Sequence, residues 1–334
     1  MLSILLAALA VLPAAAAEAQ RHSYQRVLMG APVKLILYSE TEATANLAAE
    51  AAYERIAALD RVLSDYKTDS ELSKLSATAG TGRKVAVGDD LWAVLERSQK
   101  LTEATEGAFD VTVGPYVRLW RRARRNKEFP TAERLTEARA AVGYKKLRLD
   151  PSGHTAELLA PGMRLDLGGI ATGYAVDEAM RVLKRHGIGC ALIDASGDIL
   201  VSDPPPGELG WKIGIAPLEP TGPASRYVSL RNMAITTSGD AFQHVVLNGK
   251  RYSHIVDPAT GLGLTDSATV VVIAGDCITA DSQATAVSVL GPEKGLRLIA
   301  STDRAAAYIV RNREGAVETF ASPRLEEYAP RGPE

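Results

Sequence analysis

The sequence predicts an α+β fold, a single domain of mixed sheets with flanking helices. Three observations predict it. Strand-like and helix-like stretches follow one another without the regular alternation of a doubly wound sheet. The 334 residues are 46% hydrophobic and 23% charged, a globular composition with enough chain for one large core. No break in composition and no repeat of fixed period marks a second unit.

The elements follow in order. Val33 to Tyr38 alternates loosely and reads as a strand. Ala43 to Leu63 is an alanine-rich amphipathic helix, and Asp89 to Ala104 is a second helix with an acid at its start. Glu133 to Ala141 is a short helix and Lys146 to Leu149 a strand. Gly173 to His186 is helical and stops before Gly187, the residue type that closes helices. Ala191 to Ile193, Trp211 to Ala216, Arg226 to Leu230, Thr269 to Ala274 and Ala306 to Val310 read as strands. Ile278 to Leu290 is helical, and Glu293 to Ala300 is a separate short helix after Pro292.

Leu2 to Leu12 is an apolar run too short to span a bilayer, followed by Pro13 and small residues spaced as a signal peptidase reads them. No Lys or Arg precedes it. The expectation is an export signal over residues 1–19 and one folded domain over 20–334. The mature chain is then periplasmic, exported and soluble, with no cysteine after the run to carry a lipid anchor. A net charge of −2 argues against a dedicated nucleic-acid binder. Two cysteines, Cys190 and Cys277, cannot form a disulfide framework and are expected as buried free thiols.

Four clusters carry candidate chemistry. Leu165 to Asp177 places Gly168, Gly169 and Gly173 between a short strand and a helix, where backbone N–H groups can meet phosphate. It is neither a Walker A loop nor a dinucleotide GxGxxG, and a tight structural turn is the alternative. In Ala280 to Ala286, Asp281 and Thr285 stand at i and i+4 on one helical face. They offer hard oxygen ligands for Mg²⁺, or alternatively a helix-dipole acid and a self-bonded threonine. Tyr252 to Gly261 ends in the turn sequence Asp-Pro-x-Thr-Gly, with His254 just before it as an acid/base or structural histidine. Thr236 to Asp240 reads as a polar loop. A Ser238–His254–Asp257 hydrolase is conceivable but lacks a G-x-S-x-G elbow. Gly107 to Pro115 is an ordered loop with Asp110 and Thr112 among small residues. The basic run Arg118 to Lys127 reads as a solvated face, with an electrostatic guide for an anionic substrate as the alternative.

Together these clusters resemble the ApbE family of FAD:protein FMN transferases. Val27 to Gly30, Leu63 to Tyr66, Ser70 to Leu72 and Ala195 to Ile199 belong to the resemblance, which spans about Val27 to Leu298. It implies an ApbE-type (T-fold-like) fold. It also implies an enzyme that uses Mg²⁺ to move FMN from FAD onto a Thr or Ser hydroxyl of an acceptor redox protein, releasing AMP. The alternatives are hydrolysis of FAD to FMN and AMP, or an FAD carrier without catalysis.

By the same resemblance, Met29 and Tyr66 pack around the flavin nucleotide. Ala108, Phe109 and Asp110 form the adenosine-side loop, and Asp166 with Gly168 and Gly169 lines the pyrophosphate. The Ala171 carbonyl, Asp281 and Thr285 hold the metal. Tyr174 and Asp177 lie at the helix start beside the cofactor. His254 is tied to catalysis, and either His254 or Asp240 takes the proton of the incoming hydroxyl. Thr172 and Ser76 stand where the family often has Lys and Asn.

Overall fold

The computed structural model describes residues 19–215, 224, 226–239, 243–313 and 315–330. The expected export signal falls almost wholly outside them, and Asp240 does too.

Two strands, β1 (Gln20–Leu28) and β2 (Ala31–Ser39), lead into the long helix α1 (Glu42–Leu63). Next come α2 (Glu71–Ser76), β3 (Val85–Ala86), α3 (Asp89–Ala104), α4 (Gly114–Asn126) and α5 (Ala132–Ala141). Strands β4 (Leu147–Asp150) and β5 (Thr155–Leu158) precede α6 (Ala171–Arg185). Strands β6 (Cys190–Ala195), β7 (Asp198–Val201), β8 (Trp211–Ile215), β9 (Arg226–Leu230) and β10 (Met233–Gly239) follow. The chain continues through β11 (His244–Leu247), β12 (Lys250–Ser253), β13 (Ser267–Ala274), α7 (Cys277–Ala300), β14 (Ala306–Arg313) and β15 (Ala316–Ala321).

Eight strands form one antiparallel sheet in the order β1-β2-β6-β7-β10-β13-β14-β15. Both faces are covered. Val33, Leu35 and Leu37 of β2 join the core under α1, α6 and α7, while Ile36 points to a second core with β8, β9 and Leu325. Strand β13 divides the same way, Val270 and Val272 against Val271 and Ile273. Double coverage explains why β13 reads as a continuous apolar run and not as an alternating one. A third core joins α4 and α5 to the β11–β12 hairpin through Trp120, Tyr116, Tyr252 and Val256.

Predicted helices and strands recur with shifts of one to three residues at their ends. The break expected before Pro292 is a kink at Gly291, where φ is 75° inside α7. Cys190 and Cys277 are free thiols, but only Cys277 is buried, Cys190 being half-buried at the start of β6. Two expectations change. Thr236 to Ser238 is not a loop but part of β10, paired with β13 throughout and with β7 at Thr236. Hydroxyl side chains tolerate that position because the ladder satisfies the backbone and Met233, Ala234 and Ile235 are buried just before them. The second change is partial: the basic run lies on a helix, α4, which buries Tyr116, Trp120 and Ala123, and Arg118, Arg122 and Arg125 form the solvated face expected while Arg121 and Arg124 are half-buried.

Candidate functional site

The site lies at one end of the large sheet. There β1 turns into β2 through Met29 and Gly30, with φ of 52° and 77°, and β6 turns into β7 through Ser196 and Gly197, with φ of 57° and 105°. Two consecutive left-handed residues make the tight hairpins that suit twisted strands. Because β2 pairs with β6, both turns reach the same edge, where the Ser196 hydroxyl donates to the Pro32 carbonyl at 3.1 Å. They border a cleft of about 770 Å³. Its lining includes Met29, Tyr66, Ala108, Phe109, Asp110, Asp166, Gly168, Gly169, Ala171, Thr172, His254, Asp281 and Thr285.

The floor is the crossing of α6 and α7. The Gly173 N–H donates to Asp281 Oδ2 at 3.0 Å. A Cβ on Gly173 would lie 2.8 Å from the Asp281 Cβ, and one on Gly169 would lie 2.8 Å from the Thr285 Oγ1. Only glycine lets the two segments approach this closely. The i,i+4 face of Asp281 and Thr285 therefore meets the turn that contains Ala171. Burial and the neighbouring Asp198 push the Asp281 carboxyl well above the usual carboxylate range. Asp198 itself is raised to about 7, chiefly by burial, and lines the same cleft.

These groups fit a hard divalent cation. A buried carboxylate, a hydroxyl and a peptide carbonyl are the oxygen donors Mg²⁺ takes, and crowded buried carboxylates gain from a positive ion. No group of three or more His, Cys, Asp or Glu side chains poised for a metal occurs among the described residues. The set formed by Ala171, Asp281 and Thr285 has only one such side chain, completed by oxygens of other types.

The glycine turn is a less open anion cradle than its sequence suggests. The Gly168 N–H donates to Asp166 Oδ1, those of Ile170 and Ala171 donate to the Leu167 carbonyl, and that of Gly173 to Asp281. Most amides of the turn are thus engaged within the protein, so a bound phosphate needs other positive charge nearby.

One positive charge beside the turn belongs to a residue whose individual role the sequence left hidden. Arg121 turns inward from α4, donates to Asp166 Oδ2 at 2.9 Å, pairs with Asp65 and lies 4.0 Å from the centroid of the Tyr66 ring. Only the helical spacing that puts Arg121 beside Val117 and Arg124 on one face would have separated it from the solvated arginines. Asp166 is held above its ordinary range by burial and by Asp65, with Arg121 opposing. Asp110 is buried and accepts the N–H and hydroxyl of Thr112 at 2.8 and 2.7 Å, which fixes the loop before α4. Ser76 accepts the Leu165 N–H at 3.2 Å, so it holds the irregular segment that leads into the turn where a short strand was expected.

Tyr174 and Asp177 are outside the lining residues and serve the scaffold. The Tyr174 hydroxyl donates to Asp90 at 2.8 Å within a network that includes Arg55 and Glu178. Asp177 accepts the N–H groups of Cys277 and Ile278 at 2.8 and 2.9 Å and so anchors the start of α7. Tyr174 and Asp177 stand three and six residues past Ala171, about 60° and 120° around the helix from it, so they share its segment but not its direction.

His254 lines the cleft with its Nδ1 3.1 Å from the Gln243 carbonyl. A ring nitrogen facing a carbonyl carries the proton, which makes Nε2 the basic atom. Asp257 accepts from the Ala259 N–H and the Thr260 hydroxyl of its own turn. Both oxygens of the Asp257 carboxylate are thus engaged by that turn. Asp240, the other candidate base, lies outside the described residues.

Comparison with known proteins follows the same lines. The sequence profile of the ApbE family matches residues 29–309. The chain is 33% identical over 267 residues to the FAD:protein FMN transferase of Haemophilus influenzae, covering 78% of this chain and 77% of that one. It is 32% identical over 299 residues to the protein of the same name from Treponema pallidum, covering 85% and 82%. Among solved structures, the apo form of the Pseudomonas stutzeri flavinyl transferase ApbE superposes with a TM-score of 0.82 at 28% identity, covering 94% of this chain and 98% of that one. The flavin transferase ApbE from Vibrio cholerae gives 0.83 at 27% identity, covering 93% and 99%.

Proposed function

The chain belongs to the ApbE family, and from that membership and the geometry of the cleft we propose that it transfers FMN from FAD to a Thr or Ser hydroxyl of an acceptor protein, releasing AMP. The observation that carries the proposal is the close α6–α7 crossing, where Gly173 bonds Asp281 and Gly169 abuts Thr285, beside a cleft that Ala171, Asp281 and Thr285 all line. The relatives named FAD:protein FMN transferase support the reaction class.

The chemistry asks for three things. The FAD pyrophosphate carries about two negative charges that must be offset as the bridging bond breaks. Mg²⁺ supplies that offset when bound, and Asp281, Thr285 and the Ala171 carbonyl are the groups that would hold it. Second, the dinucleotide has to be positioned. Tyr66 and Met29 offer surface to the flavin side, and the Ala108–Asp110 loop to the adenosine side. Third, the acceptor hydroxyl has to lose a proton. Its oxygen bonds to the riboflavin-side phosphorus, the bridging P–O bond breaks, and AMP leaves with the electron pair. His254 Nε2 or Asp240 receives the proton. Arg121 keeps Asp65 and Asp166 from opposing the incoming anion.

The test is incubation of the purified chain with FAD and Mg²⁺, with and without an acceptor. A covalent FMN mass increase on the acceptor, with AMP released, is expected. Free FMN formed equally well without acceptor would mean a pyrophosphatase, and absence of AMP a carrier. The mature chain is proposed to act in the periplasm on the strength of the Leu2–Leu12 run. Fractionation of expressing cells checks this, and retention in the cytosol would refute it.

A further inference from the structure

Helix α4 presents three faces. Tyr116, Trp120 and Ala123 are buried, and Val113, Val117, Arg121 and Arg124 line the cleft. Arg118, Arg122 and Arg125 are exposed. Their i, i+4, i+7 spacing puts them in one stripe, about 100° around the helix from the cleft-lining one at 3.6 residues per turn. They therefore run along the rim of the cleft.

The stripe has no structural occupation. Among the described residues none of its three guanidinium groups is paired with a carboxylate, whereas Arg121 on the adjacent face holds two. Arg125 complements the C-terminal end of the helix dipole, but Arg118 and Arg122 sit too early for that. Like charges at i,i+4 weaken a helix. A row of unpaired arginines at the mouth of a site suits an anionic partner that extends past the rim. FAD placed in the cleft would lie on the Arg121 face. Nucleic acid is a poor match, because the chain carries a net charge of −2 and the stripe's aromatic neighbour Trp120 is buried.

We infer that Arg118, Arg122 and Arg125 form a docking rail for an acidic segment of the acceptor protein, flanking the hydroxyl residue that enters the cleft. The inference rests on the proposed transfer reaction. It sets acceptor affinity and leaves FAD handling to the cleft.

The experiment uses a fluorescein-labelled synthetic peptide with a central Thr flanked by Asp residues, and the same peptide with Asn at each Asp. Binding to the full chain is followed by anisotropy in the presence of FAD and Mg²⁺, and flavinylation by mass. The Asp peptide should bind at least about tenfold more tightly, with the difference shrinking in high salt. The triple variant Arg118→Glu/Arg122→Glu/Arg125→Glu should abolish the difference with FAD affinity unchanged. The control Arg148→Glu/Lys184→Glu/Arg185→Glu changes the net charge equally on exposed residues outside the cleft lining and should preserve it. Equal binding of the two peptides to the native chain, an unaltered preference in the rail variant, or an equal loss in the control would overturn the inference. Charge-selective binding with no flavinylation of any peptide or protein would instead count against the transfer reaction.

Discussion

The Asp281 carboxylate accepts the N–H of Gly173 at 3.0 Å, and that bond fastens the second turn of α7 to the first turn of α6. The same side chain faces the cleft. A single carboxylate thus joins the two halves of the proposed metal site and belongs to it.

Replacing Asp281 by Ala should therefore lower FMN transfer on the order of a hundredfold or more, the scale seen when one preorganised charge-stabilising group is lost. Mg²⁺ titration by calorimetry should show the binding signal lost as well. Normal Mg²⁺ binding in this variant would remove Asp281 from the ligand set.

The close crossing makes Gly173 irreplaceable. The methyl of Gly173→Ala would meet the Asp281 Cβ at 2.8 Å, inside van der Waals contact. Because buried backbone and side chain lie on both sides, we expect a loss of about 1–3 kcal/mol in urea unfolding. A variant as stable as the parent would show that the helices separate freely.

Asp177 gives a pH dependence with a definite sign. Burial, opposed by the N–H groups of Cys277 and Ile278, pushes its pKa from 3.8 up to about 6. A raised pKa favours the protonated form in the fold, so this contribution is fully present below pH 3.8 and is lost as pH rises through about 6. Over that window the parent should lose about 3 kcal/mol relative to Asp177→Asn, which cannot titrate. Parallel stability curves for the two proteins would contradict the assignment.

His254→Gln should slow transfer by about 10²- to 10⁴-fold while FAD binding stays close to that of the parent, as expected of a proton acceptor. Equilibrium dialysis with FAD separates the two effects. An unchanged rate would shift the role to Asp240.

Arg121→Met leaves Asp65 and Asp166 facing one another without their shared cation. Weaker FAD binding, by about tenfold, and a lower Tm are expected. Full FAD affinity in this variant would mean that the guanidinium serves the helix alone.

Fold class, most helix and strand positions, and the clusters that converge on the cleft were legible before any contact was known. Those signals are local: an i,i+4 pair such as Asp281 and Thr285 shares a helical face in any fold, and Gly168, Gly169 and Gly173 mark a tight turn wherever they stand. What stayed illegible depends on contacts across long stretches of chain. That Thr236 to Ser238 lie in a strand of the large sheet follows from pairing with the distant β13, which overrides their polarity. The tertiary structure alone separated Arg121 from the other arginines of α4, because its partners Asp65 and Asp166 are 56 and 45 residues away. It alone assigned Tyr174 and Asp177 to the scaffold, where Asp90 and the start of α7 hold them. Periodicity fixes which side of a helix a residue occupies, while burial and distant partners fix what that side meets.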